Sequence, residues 1–289
     1  MVFFGSGPVG RATLENLLEN GFEIEAIITK PWPKGHKSSM PVLEFAHQHK
    51  ITVFTPNTKL ELSELFTKER FSSRFGLVVD YGLIISKDVI ESFPLGIINS
   101  HFSLLPEWRG PDPITFAILS GQDETGVSLM LINEKMDEGL LLAQEKLKID
   151  DQMTTSGLTK ALIKLSSEML NKYLPLYFDG KLKSYPQPDV KPTYSHRLVK
   201  QDGILDLNKP AEVLEREVRA YDEWPKSKIL LFGHDVIVIK SKVVKSEHAG
   251  PLVLKGNPGY LEVQELRAPS GRTISGADFL RGYSRSQTK

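Results

Sequence analysis

Asn99 and His101 stand two residues apart after the apolar run Gly96-Ile97-Ile98, and Ser103-Leu104-Leu105-Pro106-Glu107-Trp108-Arg109-Gly110-Pro111 follows them. A strand repeats every two residues, so the carboxamide and the imidazole share one face and can address a single carbonyl. The amide can hydrogen-bond a developing oxyanion. Imidazole, with a reference pKa of about 6.5, exchanges protons near neutrality. The pair suits acyl chemistry, although a lone histidine at a strand end is as often a structural residue. A carboxylate that can complete the set lies in Met136-Asp137-Glu138-Gly139, a turn-like segment after a second apolar run, Val127-Ser128-Leu129-Met130-Leu131-Ile132. An aspartate beside a histidine can raise its pKa, orient it, or take a proton through water, as acyl transfer to an amine requires. By itself Asp137 reads as an ordinary turn residue.

The elements that must hold these groups begin with Val2-Phe3-Phe4, the turn Gly5-Ser6-Gly7-Pro8-Val9-Gly10, and an amphipathic stretch through Leu14, Leu17 and Leu18 to Gly21. That order reads as strand, turn, helix and stop. Glu23 to Thr29 reads as a second strand, and Leu77-Val78-Val79 and Gly96-Ile97-Ile98 as further buried strands between helical segments. The alternation predicts an α/β fold with a Rossmann-like, mostly parallel, doubly wound sheet. Binding sites in such sheets lie beyond the carboxyl ends of the strands, where Tyr81, Asn99 and His101 fall. The first turn matches G-x-G-x-x-G, but the second strand ends in Thr29-Lys30-Pro31 with no acid for a ribose, so no dinucleotide is expected. Leu158, Leu162, Leu165, Met169 and Tyr173 recur at helical steps and predict a long helix whose apolar face is core. The stretch 180–192 carries three prolines and reads as an interdomain linker. Pro210 to Ala220 reads as a helix, and Lys228 to Phe232, Asp235 to Val244 and Gly259 to Leu266 as strands of a small β-barrel. The expected division is residues 1–179, a linker over 180–195, and residues 196–289.

Composition narrows the class. With 289 residues, 40% of them apolar and 25% charged, the chain can bury a full core and has room for two domains. No apolar run reaches the roughly 20 residues that span a bilayer, and the first residues enter a strand instead of a signal segment, so a cytoplasmic protein is expected. There is no cysteine, which removes disulfides, thiolate nucleophiles and cysteine-based zinc sites. The seven histidines lack ligand spacing; His47 and His49, two apart on a predicted helix, diverge, and no metal is expected. Formal charge is zero overall, yet residues 196–289 hold 16 Lys and Arg against 12 Asp and Glu, which makes this part the candidate nucleic-acid face.

Taken together, Asn99, His101, Ser103-Leu104-Leu105-Pro106, Trp108, Arg109-Gly110, Pro113-Ile114 and Asp137-x-Gly139 resemble the signature of the methionyl-tRNA formyltransferases. The resemblance covers nearly the whole chain. It includes Val78 to Ile85 and, in the C-terminal part, Thr193-Tyr194-Ser195, Asp202-Gly203-Ile204, Trp224-Pro225 and Ala277 to Gly282. It implies a formyltransferase domain followed by an OB-like tRNA-binding domain. The implied reaction moves a formyl group from 10-formyltetrahydrofolate, as co-substrate, to the α-amine of charged initiator tRNA, without a metal. It implies Asn99, His101 and Asp137 as the catalytic set. Asn99 would bind the oxyanion, His101 would polarise the carbonyl or shuttle a proton, and Asp137 would orient His101 and accept the amine proton. The folate would lie against Ser103, Leu104, Leu105 and Pro106 and the backbone of Tyr81, Gly82 and Leu83. A monomer is expected. Related enzymes that formylate an amino-sugar nucleotide, or that hydrolyse 10-formyltetrahydrofolate, share much of this pattern. Two departures stand out: the loop from Lys30 to Ser39 is short, leaving Lys34, His36 and Lys37 as candidate tRNA contacts, and Asp112 stands where small residues are common.

Overall fold

The computed structural model describes residues 1–31 and 39–284. The chain forms two compact units, one of residues 1–113, 124–148 and 159–195, the other of residues 114–123, 149–158 and 196–289.

In the first unit short strands alternate with helices: β1 (Val2–Phe4), α1 (Pro8–Glu19), β2 (Ala26–Ile28), α2 (Pro41–His49), β3 (Thr52–Phe54), α3 (Lys59–Lys68), β4 (Gly76–Val78), α4 (Lys87–Glu91) and β5 (Ile97–His101). After α5 (Pro113–Ser120), β6 (Glu124–Leu131) and β7 (Leu141–Lys148) complete the sheet, and α6 (Thr155–Phe178) follows. The sheet order is β3-β2-β1-β4-β5-β6-β7. Pairing is parallel from β3 through to β5 and antiparallel from β5 to β7. All residues of β1 and β2 are buried, as expected for strands covered on both faces. Val2, Phe4, Ala26, Ile28, Val78 and Ile97 build one core with Leu62 of α3 and Val89 of α4. On the opposite face of β5, the Ser100 hydroxyl bonds that of Ser166 on α6 at 2.7 Å. The alternation turns Asn99 and His101 away from α6, to the other face of the sheet.

The second unit carries α7 (Ala211–Ala220), β8 (Ser227–Leu231), β9 (His234–Val244), β10 (Val253–Lys255), β11 (Tyr260–Arg267), β12 (Thr273–Ser275) and α8 (Gly276–Tyr283). The antiparallel sheet runs β10-β11-β9-β8, with β12 on β11. The register between β9 and β11 shifts on either side of Glu265, and such irregularities bend a strand and curl the sheet into an OB-like half-barrel. Leu214 and Val218 of α7 and Phe279 of α8 pack with Val236, Val238, Leu261 and Val263 into one core. Residues 114–123 and 149–158, expected in the first domain, cluster here instead. Thr155 donates to Ala220 O at 2.7 Å and Arg216 Nε to Leu119 O at 3.2 Å.

Candidate active site

Asn99 and His101 end β5, paired on one side with β4 and on the other with β6, where Met130 faces Asn99 and Ser128 faces His101. Among the described residues the Asn99 carboxamide makes no side-chain hydrogen bond, so its donors are available to another molecule. The His101 ring is buried, with Nε2 3.0 Å from Trp108 O. A carbonyl can only accept, so Nε2 carries the proton and Nδ1 of the neutral ring has a free lone pair. That lone pair faces Asp137, whose Oδ1 lies 3.9 Å away. Asp137 is fixed from elsewhere: Gly110 N–H donates to its Oδ2 at 2.7 Å. The three expected catalytic groups therefore lie on one unit, with His101 and Asp137 facing each other. One detail differs from expectation. The backbone of Trp108, and not the carboxylate, orients the imidazole, because 3.9 Å is beyond direct hydrogen-bond reach.

Left-handed backbone gathers around these groups: φ is +54° at Asp80, +52° at Trp108 and +53° at Asp137. Each such non-glycine residue costs about 1–3 kcal/mol and persists only where its surroundings over-determine it. At Gly110, φ is +115° and an added Cβ would lie 2.5 Å from Ser195 O, so only glycine fits.

The segment from Ser103 to Pro106, expected as a folate wall, is tied to the sheet by two polar side chains. Ser128 on β6, fully buried, accepts from Leu105 N–H at 3.0 Å and donates to Ser103 O at 2.6 Å. Gln144 on β7 donates to Ser128 Oγ at 2.8 Å and to Leu105 O at 2.9 Å. Leu105 is core, packed with Met130 and Leu141, whereas Leu104 is half-buried. Of the second expected wall, Tyr81 packs edge-on against Phe4 at 5.7 Å, and its buried hydroxyl has no partner among the described residues. Burial raises the pKa of that phenol. Gly82 and Leu83 follow on the same loop, and Gly82 approaches Lys30 so closely that an added Cβ would meet Nζ at 2.3 Å.

The glycine-rich turn before α1 is occupied from within. Ser6 N–H donates to Asp80 O at 3.0 Å, and Gly7 N–H bonds the Asp80 carboxylate. A Cβ at Gly7 would lie 2.0 Å from Asp80 Oδ2. The helix N-terminus that holds a pyrophosphate in dinucleotide enzymes here holds a side-chain anion of the same chain. Loss of solvent around the carboxyl raises the Asp80 pKa, Lys30 and the Gly7 N–H pull against that, and Asp112 adds repulsion.

Residues 180–195, read from the sequence as a linker, lie in the first unit and line the site loops. Trp108 N–H donates to Thr193 Oγ1 at 2.9 Å, Asp112 N–H to Ser195 Oγ at 3.0 Å, and Ser195 N–H to Arg109 O at 2.8 Å. Gln187 and Arg109 also bond each other. Sequence reasoning missed Gln187, Ser128 and Gln144; the one signal was a small polar residue inside the otherwise apolar run 127–132. Lys34, His36 and Lys37 lie outside the described residues. Among the described residues no group of three or more metal-binding side chains occurs, and no helix is long and apolar enough to cross a membrane.

The Formyl transferase family model matches residues 1–174, and the Formyl transferase, C-terminal domain model matches residues 197–284. A methionyl-tRNA formyltransferase of Roseiflexus sp. (strain RS-1) is 33% identical over 98% of this chain and 92% of its own length. Another, of Myxococcus xanthus (strain DK1622), is 34% identical over 98% and 95%. Among solved structures, the N-formyltransferase of Helicobacter canadensis in complex with folinic acid and dTDP-3-aminofucose aligns with a TM-score of 0.69. It covers 95% of this chain and 97% of that one at 18% identity, a likeness of fold.

Proposed function

Because this chain belongs to the formyl transferase family, we propose that it transfers a formyl group from 10-formyltetrahydrofolate to the α-amine of methionyl-initiator tRNA, for translation initiation. The observation that carries this reading is similarity along the whole chain, both domains included, to relatives named methionyl-tRNA formyltransferase. The first unit does the chemistry, and residues 196–289, with their excess of basic side chains, bind the tRNA together with Lys34, His36 and Lys37. The folate lies against Ser103 to Pro106 and the backbone of Tyr81, Gly82 and Leu83. The protein acts as a cytoplasmic monomer.

In the proposed step the neutral amine attacks the formyl carbon, a C–N bond forms, and the carbonyl oxygen takes up the electron pair. The unpartnered Asn99 carboxamide donates to that oxygen, worth about 2.7–4 kcal/mol for a well-placed donor. The amine proton passes to the pair formed by His101 Nδ1 and Asp137, which face each other at 3.9 Å and can each accept it. The same proton returns to the folate nitrogen as its bond to the formyl carbon breaks. No covalent enzyme intermediate is required. His101 can accept because its other nitrogen is committed to Trp108 O, which fixes the tautomer.

The test offers the purified protein 10-formyltetrahydrofolate with charged initiator tRNA, with an amino-sugar nucleotide, or with neither. Formylmethionyl-tRNA as the sole product is expected. Formylation of the amino sugar, or release of formate without an acceptor, would replace this reading by one of the related activities.

A further inference from the structure

We propose that Gln187 is a positioning residue for the reaction, holding the Asp137 turn in the one backbone conformation that aims its carboxylate at His101. The inference rests on the formyl-transfer reading of the site. Gln187 Nε2 donates to Asp137 O at 2.7 Å and to Gly139 O at 3.0 Å, and Gln187 Oε1 accepts from Arg109 Nη2 at 2.8 Å. The orientation of the amide is unambiguous, since a guanidinium only donates and two carbonyls only accept. The two bonded carbonyls bracket Glu138, whose carboxylate pairs with Arg109 Nη1 at 3.1 Å. Arg109 thus holds the clamp and the turn at once.

This turn needs holding. Asp137 sits at φ +53°, and among the described residues its carboxylate is anchored by the Gly110 N–H. Without the clamp, relaxation to an ordinary φ would swing the carboxylate away from His101. Gln187 precedes Pro188, whose ring disfavours helical backbone at 187 and holds it extended, so less entropy is lost in presenting the amide. Among the described residues Gln187 bonds only the main chain of the 137–139 turn and the Arg109 guanidinium, and so acts through Asp137.

The experiment compares wild type, Gln187→Ala, Gln187→Glu, Asp137→Asn and the Gln187→Ala/Asp137→Asn double variant, reading kcat and both KM values. Gln187→Glu keeps the shape and the acceptor for Arg109, but sets an oxygen against two carbonyls. Misplacing a catalytic group by about 1 Å costs about 100-fold, so both single changes at 187 should lower kcat about 10- to 100-fold, with each KM within about threefold of wild type. The double variant should be no slower than Asp137→Asn alone, because the clamp has nothing left to position. A kcat within twofold of wild type in Gln187→Ala, a loss residing in KM, or additivity in the double variant overturns the proposal. Hydrogen exchange over 134–140 separates this failure from failure of the functional reading. Should Asp137→Asn transfer formyl groups normally, faster exchange of that segment in Gln187→Ala still upholds the clamp, and unchanged exchange refutes it. If Gln187→Ala fails to fold, Gln187→Asn, one methylene shorter, serves the same comparison.

Discussion

Replacing Ser128 by alanine probes how the reactive loop is held. The hydroxyl makes three hydrogen bonds, to Leu105 N, Ser103 O and Gln144 Nε2, at 3.0, 2.6 and 2.8 Å, and the residue is fully buried. Alanine strands one N–H and one carbonyl without water, each costing about 1–3 kcal/mol. The Gln144 amide keeps its bond to Leu105 O at 2.9 Å, so that group adds little. The loss should total about 2–6 kcal/mol, and at about 2–4 °C per kcal/mol for a unit of this size the melting temperature should fall by about 4–24 °C. The Ser103 to Pro106 segment would loosen first, raising the KM for 10-formyltetrahydrofolate more than it lowers kcat. Ser100→Ala, which removes one bond to Ser166 on the other face of the sheet, is the control, with a cost of about 1 kcal/mol and no change in KM. Differential scanning calorimetry and urea unfolding read the first effect, and initial-rate kinetics the second. A melting temperature within 2 °C of wild type, together with an unchanged donor KM, would refute the idea that these bonds hold the loop.

Further outcomes follow from the same geometry. Asn99→Ala and His101→Ala should each lower kcat by about 100- to 1,000-fold in a formyl-transfer assay while the fold, read by circular dichroism, is kept. Gly110→Ala, with a Cβ 2.5 Å from Ser195 O at a φ of +115°, should lose more than about 2 kcal/mol of stability by urea titration and most activity. Glu217, buried on α7, has its pKa raised by burial above all, with Lys209 opposing. The fold prefers its protonated form, so its contribution to stability falls as pH rises above the ordinary glutamate value of 4.5. Glu217→Gln should therefore be at least as stable as wild type at pH 7, and lose that advantage below about pH 4.5, in urea titrations across pH. A destabilised variant at pH 7 would contradict this, pointing to a net gain from the Lys209 pair.

The parallel half of the sheet was legible because strands buried on both faces leave unbroken apolar runs, as at Val2-Phe3-Phe4 and Ile97-Ile98. Asn99 and His101 were legible through the strand period of two, and Asp137 through an acidic turn after an apolar strand. What the residues could not disclose was contact made by backbone atoms or between segments far apart. His101 is oriented by a carbonyl, that of Trp108, and a carbonyl has no sequence signature. Gln187 reaches Asp137 across 50 residues from a proline-rich stretch, whose composition reads as a spacer because prolines suit extended chain whether or not it is docked. The G-x-G-x-x-G turn misleads for a related reason. Its glycines are needed for close approach, but the approaching anion is Asp80 of the same chain and not a phosphate. Grouping residues 114–123 and 149–158 with the C-terminal unit depends on packing alone, through pairs such as Thr155 with Ala220 and Arg216 with Leu119.

The central claim is that Asn99, His101 and Asp137 act together on a formyl carbon bound for an aminoacyl-tRNA. Single-turnover transfer from formyl-labelled 10-formyltetrahydrofolate to charged initiator tRNA, by wild type and by Asp137→Asn at saturating concentrations of both substrates, tests it most directly. The expected result is label recovered as N-formylmethionine after deacylation, with the rate constant for Asp137→Asn lower by about 100-fold or more. Equal rate constants, or label released as formate, would contradict it.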